Sequence, residues 1–475
     1  MTIINSVTLD RELLTTNDSL LDLFYLVGNS RENPKNVIPS FSRLYSTDKE
    51  SALSVMLYSR DIKNGLGERE VFRKMLKFVA IQDPKFVSKI FDMIPKFGRY
   101  DDLLCLLGTS VEPKLINYIK TTLTGRPTLE KGLLAKWLPS FNCSNNEKKT
   151  LAKYIMKKLG MKEAEYRKML SKYRSTCVIE NKINNLDFTF NYEDVPSLAM
   201  QKYEDLFKKY DAVRFDEYLK KVAADKANFA TDTLTPYDVY KTFISNPNRR
   251  NSDVMNLANL KWEGLKESMK YDMKDTLVIA FTPYCRQDNS QDKVYALSIL
   301  ASECVEGKLG SRIICMRNND CSTVYDFRES SFAEKAIALN GDCYNKIFNL
   351  VNSQNLLKVL KTALMDGENI IPLKNILVVG NSSAKEFLKM KEELDDALND
   401  ICSLFHYKDL NYAYLSVVND NLRYPFNKDS KWLMISGSDK NAVKYFFKNK
   451  SFNTLEYVEL VLSRYRNIVK KLMGK

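Results

Sequence analysis

The chain has 475 residues, with 72 Lys and Arg against 59 Asp and Glu, a formal net charge of +13. At 44% hydrophobic and 28% charged residues it is too apolar for a disordered tail and long enough for two or three domains, while 16 Gly and 13 Pro exclude collagen-like or linker-dominated chains. No apolar run of about 18 residues exists, and the N-terminal MTIINSVTLDREL has no basic flank leading into an apolar stretch, so no membrane partner and a cytoplasmic location are expected.

The first 270 residues read as helix after helix. Ser51 to Ile62 carries Leu53, Met56, Leu57 and Ile62, and Val71 to Ile81 carries Val71, Phe72, Met75, Leu76 and Val79 at the spacing of a buried stripe. Phe86, Val87, Ile90, Phe91 and Ile94 continue the pattern, and Asp101 can cap a helix bearing Leu103, Leu104 and Leu107. Short breaks fall at Asn64-Gly65-Leu66-Gly67, Gln82-Asp83-Pro84 and Lys96-Phe97-Gly98. Paired helices with tight turns suggest an α-solenoid of HEAT type with irregular repeats.

Near residue 272 the pattern changes. Thr276 to Phe281, Arg312 to Met316 and Asn375 to Val379 are short apolar runs of buried parallel strands, and Tyr412 to Val418 and Trp432 to Ile435 complete the series. Helical patterns alternate with them: Val294 to Cys304, Tyr344 to Val351, Leu356 to Met365, Ala384 to Leu404, Asn441 to Phe447 and Leu455 to Leu472. Strand–helix alternation makes a doubly wound α/β domain. The expected fold class is thus α plus α/β: a helical-repeat domain over 1–270 and an α/β domain over 271–475.

The 9 cysteines have no C-x-x-C spacing and read as reduced core thiols. His406 is the single histidine and sits among aromatics in SLFHYKD, where a packed or surface role is expected. With no acid/base pair or nucleophile constellation in view, the chain reads as a non-enzyme.

Arg60–Glu70 (RDIKNGLGERE), Pro95–Leu104 (PKFGRYDDLL), Ala135–Ser140 (AKWLPS), Val195–Met200 (VPSLAM), Ile435–Ser438 (ISGS) and Thr454–Tyr457 (TLEY) occur in this order. Together they resemble the signature segments of the TROVE-like proteins that join a helical-repeat region to a von Willebrand factor A-like domain, distant relatives of the Ro ribonucleoprotein autoantigen. The resemblance spans about residues 15–470. It implies a basic helical ring that binds single-stranded RNA ends and small structured RNAs, closed or stabilised by the α/β domain. A von Willebrand A-like fold often holds a divalent cation on a D-x-S-x-S motif, a later Thr and a later Asp. Here Ala280, Thr282 and Tyr284 stand in the motif, Asp342 falls near the Thr position, Asn381 replaces the late Asp, and Asp288 lies in the first loop. The site is degenerate, so no cofactor is expected, Mg included.

The surplus charge is uneven: residues 1–270 hold 44 basic and 34 acidic side chains, residues 271–475 hold 28 and 25. Such a block suits a polyanion; solvated helix faces are the alternative. Lys63–Arg69 lacks the G-K-[ST] ending of a phosphate loop. Its turn nevertheless brings Arg60, Lys63, Arg69, Arg73 and Lys74 to one helix junction, either as a phosphate patch or with Arg60 and Arg69 paired to Asp61, Glu68 or Glu70. A second patch runs through Lys157, Lys158, Lys162, Tyr166, Arg167, Lys168, Lys172, Tyr173 and Arg174. Cations interleaved with tyrosine suit phosphate contact and base stacking, although Tyr166 and Tyr173 equally fit a core stripe with Leu170. Arg99-Tyr100 and Lys136-Trp137 are weaker pairs whose aromatics read better as core, and Arg249 and Arg250 lie in a loop.

The leading expectation is a non-enzymatic RNA-binding scaffold of the helical region, with RNA, small structured or single-stranded, as partner. The alternative is a protein-interaction or structural component of a larger assembly, a virus particle included, with protein partners on the α/β domain and a virion location.

Overall fold

The computed structural model describes residues 18–474 apart from 30–33, 127, 178, 225, 228, 230, 232–233, 268–272, 284–288, 318–321, 342–348, 383, 418–431, 438–439 and 449–451. A helical stretch precedes a mixed sheet, as the α plus α/β class requires. The compact units are not cut near residue 270, however. One comprises residues 1–32 and 231–464, the other residues 33–230 and 465–475.

The second of these units is helical. Lys49–Arg60 starts on Asp48, whose carboxylate accepts the Ser51 amide, and Pro84–Lys89 starts on Asp83, which accepts the Phe86 amide. Arg69–Gln82 buries Val71, Phe72, Met75, Leu76 and Val79, the stripe read from sequence. The Phe86–Ile94 pattern does not make one helix: it splits into Pro84–Lys89, a turn, and Ile94–Phe97. The segment after Gly98 is a 3-10 helix, Tyr100–Leu106, and Asp102 rather than Asp101 closes its start by accepting the Arg99 amide. Further along, Glu112–Gly125, Thr128–Trp137, Asn146–Leu159 and Glu163–Cys177 pack as neighbours. Ser197–Tyr210 and Ala212–Ala223 then bring Phe207, Phe215 and Tyr218 against Tyr192, with Tyr192 and Tyr218 stacked and the other ring pairs edge-on or tilted.

The other unit is built on a seven-stranded sheet. Its strands are β1 (Thr276–Thr282), β2 (Arg312–Arg317), β3 (Ser322–Asp326), β4 (Asn349–Ser353), β5 (Asn375–Gly380), β6 (Asn411–Ser416) and β7 (Trp432–Ser436). Their order is β7-β6-β5-β1-β2-β3-β4, parallel from β7 to β2, with β3 antiparallel to both neighbours. β1 is buried at all seven positions because helices cover both its faces, which is why its sequence is a continuous apolar run. β3 has no counterpart among the expected strands, and the end of the expected helix Tyr344–Val351 is instead β4; residues 342–348 lie outside the described residues.

Helices Pro236–Ile244 and Ser252–Glu267 belong with this sheet. Trp262 is fully buried, stacks on Phe332 at 4.1 Å and donates from its indole nitrogen to Glu303 at 2.8 Å. Ser19–Asn29 also docks here, its Tyr25 hydroxyl donating to the Met434 carbonyl of β7 at 2.7 Å. No described helix is long and apolar enough to cross a membrane. Of the cysteines, Cys105, Cys143, Cys304, Cys315 and Cys402 are free thiols, and burial pushes Cys105, Cys304 and Cys315 up to about 12, which leaves them inert at neutral pH. His406 is exposed with φ 59°, ending the helix Ala384–Phe405 on the surface.

Candidate nucleic-acid interface

The first basic stretch is a structural knot. Arg60 is 2% exposed and its Nε donates to Asp102 Oδ2 at 2.7 Å. Arg73 binds the other Asp102 oxygen at 2.9 Å, Asp101 at 2.9 Å and Glu70 at 3.1 Å. Space is closed around them: a Cβ on Gly98 would lie 2.4 Å from Asp102 Oδ2 and 2.5 Å from Arg60 Nε. A Cβ on Gly65 would lie 2.0 Å from the Tyr58 carbonyl oxygen. The Asn64–Gly67 turn is held from within, since Asp61 Oδ1 accepts the Lys63 and Asn64 amides and its Oδ2 accepts the Tyr465 hydroxyl.

Arg60 and Arg73 are therefore corrected from phosphate contacts to internal charge pairs. Pairing does fix this turn, but the partner of Arg60 is Asp102 rather than a neighbour in sequence. Arg69 is exposed and paired to Glu70 at 3.3 Å; Lys63 is exposed and Lys74 half-buried at the same junction. The Arg99 guanidinium lies 4.6 Å from the Trp137 ring centre, and Lys136 pairs with Glu180 at 2.7 Å, so both are engaged within the unit.

The second stretch forms a groove of about 610 Å³. Ser140, Phe141 and Asn142 come from the loop after Thr128–Trp137; Arg167, Lys168, Leu170, Ser171, Arg174 and Ser175 from Glu163–Cys177; and Asn181, Asn184 and Asn185 from Ile179–Asn184 and its end. Residues 167, 171, 174 and 175 recur at three- and four-residue spacing and share one helix face. The helix is set by its other side, where Tyr166 and Leu170 are buried at 0% and 2% exposure. Tyr166 donates its hydroxyl to the Pro139 carbonyl at 2.9 Å, and burial raises its pKa.

Tyr166 is thus corrected from a stacking surface to core, as the stripe alternative has it. Tyr173 is half-buried and donates to the Leu123 carbonyl at 3.2 Å, with the Lys131 ammonium 5.8 Å from its ring; it joins helices rather than offering a free face. Lys158 is drawn off to Glu112 at 2.7 Å, while Lys172 is exposed outside the groove lining.

Arg174 is the fixed cation of the groove. Its Nε donates to the Ala135 carbonyl at 2.8 Å and its Nη2 to the Leu138 carbonyl at 2.7 Å, satisfying acceptors left open at the end of Thr128–Trp137. Burial pulls its pKa down, and among the described residues no carboxylate pairs with it. Arg167 reaches only Glu163, at 3.8 Å with both side chains more than half exposed, a pair worth well under about 1 kcal/mol. Among the described residues no Asp or Glu lines the groove. Arg167, Lys168 and Arg174 are the sequence-derived candidates brought together here. Phe141 and the asparagines are not among the sequence candidates; the clustering of Asn in Asn142–Asn146 and Asn181–Asn185 is the signal that points to them.

Arg249 and Arg250 belong to the sheet unit, where they lie in a turn with Arg249 half-buried and Arg250 exposed. The cation positions lie at the carboxyl ends of adjacent strands β1 and β5, where the chain order reverses. Thr282 is buried, and Asn381 turns its amide nitrogen to Ser290 Oγ at 2.9 Å. The Tyr414 ring closes over Gly380, where a Cβ would meet its Cε2 at 2.7 Å, and its hydroxyl bonds Ser382 Oγ at 2.9 Å. Among the described positions only neutral groups stand here, a hydroxyl and an amide whose nitrogen is turned to Ser290, where a hard divalent cation takes carboxylate oxygens. Tyr284, Asp288 and Asp342 lie outside the described residues.

The family model described as "Domain of unknown function (DUF2828)" matches residues 120–274, a span that contains the groove. The chain is also 23% identical to the "Uncharacterized protein L728" of Acanthamoeba polyphaga mimivirus over 513 aligned positions, covering 96% of this chain and 86% of that protein.

Proposed function

We propose that the protein is a non-enzymatic RNA-binding scaffold whose helical unit, a set of HEAT-like repeats resembling TROVE-type proteins, takes up RNA through the Arg167–Arg174 groove. The observation that carries this reading is the lining itself: among the described residues, three cations, no carboxylate, and polar groups around them. Phosphates are the ligands such a surface attracts, and each one neutralised releases counterions. The sheet unit reads as a von Willebrand factor A-like domain with a degenerate cation site. Its strand order, its lone antiparallel strand β3 and the placement of Thr282 and Asn381 at the reversal point support that reading.

Fluorescence anisotropy of a labelled single-stranded RNA against the full chain, across a salt series, tests the function. Affinity is expected to fall with salt at a log–log slope of about −2, from roughly 0.7 per phosphate for three contacts. No binding at low salt, or binding with a flat salt response, sinks the reading.

A second reading, a structural or interaction component of a larger assembly in the cytoplasm or a virion, is favoured by the mimivirus similarity along nearly the whole chain. Leu198 and Val213, 51% and 73% exposed, offer it apolar contact in the helical unit. Stoichiometric protein and no nucleic acid copurifying with the chain would select it.

A further inference from the structure

We infer that the groove reads the edges of RNA bases through an asparagine fringe, so that binding depends on base identity as well as on charge. The inference rests on the RNA reading above. A site made only for phosphate needs donors and positive charge; carbonyl oxygens in it face the ligand's own oxygens and contribute nothing. This groove instead gathers Asn142, Asn181, Asn184 and Asn185 beside Arg167 and Lys168.

Each carboxamide presents a donor pair and an acceptor side by side. That is the complement of a base edge, which also alternates donors and acceptors, and amides read such edges in pairs of hydrogen bonds. Three of the four are available for this. Asn142, Asn184 and Asn185 are exposed and make no side-chain hydrogen bond among the described residues, whereas Asn181 donates to the Arg174 carbonyl at 3.2 Å and fixes the junction of the two helices. Phe141, half-buried at the groove, adds an apolar surface on which a base can rest.

The volume also suits nucleotides. At about 610 Å³ the groove accommodates one or two of them, within the size range of small-ligand sites. A duplex hides its pairing edges and gives the asparagines nothing to bind, while it still presents phosphates to Arg167 and Lys168.

The test measures the full chain against labelled homopolymers of A, U and C of about 12 nucleotides, and against a duplex of equal charge. Two variants run in parallel: a triple variant Asn142→Ala, Asn184→Ala and Asn185→Ala, and a double variant Arg167→Glu and Lys168→Glu. The expected result is a spread of about 10-fold or more among the homopolymers, the size of one good bidentate contact. The triple variant should collapse that spread while keeping the salt slope, and the charge variant should weaken every RNA alike.

Equal affinity for all homopolymers in the unaltered chain overturns base reading and leaves RNA binding standing. A spread that survives the triple variant overturns the assignment to these asparagines. No binding of any RNA at low salt overturns the RNA reading and this inference together. Circular dichroism of both variants, whose substitutions fall on exposed side chains, separates lost contacts from lost fold.

Discussion

Two basic stretches of the helical unit look alike in sequence and differ in what surrounds them. Around Arg60 and Arg73 the fold supplies Asp101, Asp102 and Glu70, and each guanidinium is charge-paired inside the protein. Around Arg167, Lys168 and Arg174 it supplies backbone carbonyls, asparagines and serines, and among the described residues no carboxylate enters the lining. Positive charge answered at 2.7 Å inside the protein stabilises or positions the chain; positive charge with no acid, or only a loose exposed one such as Glu163 at 3.8 Å, is available to an external anion. A count of Lys and Arg cannot separate the two cases, because the deciding residues lie about thirty to forty positions away and arrive only through folding.

The comparison breaks most readily at Asp102. Replacing Asp102→Ala strands Arg60 at 2% exposure without its partner and should destabilise by about 3–5 kcal/mol. Urea unfolding followed by circular dichroism reads this directly, and an unchanged midpoint would show that the knot does not hold the helices. The opposite profile is expected at the groove. Arg167→Glu with Lys168→Glu should leave the midpoint within about 0.5 kcal/mol, since both side chains are exposed. RNA affinity should drop about 30- to 100-fold by loss and reversal of phosphate contacts. A stability loss in the groove variant, or an affinity loss confined to the knot variant, would invert the assignment.

Legibility in sequence followed the same line between local and distant causes. β1 and β5 were read within one residue at each end because a strand buried on both faces must be apolar throughout. β3 was missed because an antiparallel strand near the sheet edge, Ser-Thr-Val-Tyr-Asp, carries polar residues and no apolar run. β4 was read as helix because its neighbourhood has helical spacing of Tyr and Ile without a cap to fix it. Pro236–Ile244 and Ser252–Glu267 fit the general expectation of helix after helix over residues 1–270, yet their place is set by Trp262 stacking on Phe332, a contact across seventy positions that no local pattern announces. In the groove, Arg167, Lys168 and Arg174 were legible as charge. The position of Tyr166 is decided by its hydroxyl bonding the Pro139 carbonyl, which no local pattern encodes, and the asparagines are silent in a charge count because amides carry no charge.

Glu112 sharpens the comparison from the acid side. Lys158 at 2.7 Å, with the Tyr154 hydroxyl and the Gly108 amide, holds its carboxyl down to about 2. The folded value lies below the usual 4.5, so this clasp contributes fully above about pH 4.5 and is lost as pH falls toward 2. With Lys158 nearly half exposed, screening reduces the contribution to about 1–2 kcal/mol. Glu112→Gln should remove that amount at pH 7 and flatten the acid limb of the stability curve between about pH 4.5 and 2. If the acid limb keeps its full slope in the variant, other carboxylates produce it.

The smallest effect belongs to Arg69, which lies in the charged turn beside the knot yet takes no part in it. Its side chain is 46% exposed and, among the described residues, pairs with Glu70 alone, itself 51% exposed, at 3.3 Å. Such a pair is worth no more than a few tenths of a kcal/mol. Arg69→Ala should therefore leave the urea midpoint within about 0.5 kcal/mol, unlike Asp102→Ala a few ångströms into the protein. It should also leave RNA affinity within about 3-fold, because one exposed charge outside the groove alters only the long-range field, which salt screens beyond about 10 Å. A larger loss of affinity would extend the RNA path from the groove to this turn and restore Arg69, with its exposed neighbour Lys63, as a phosphate contact.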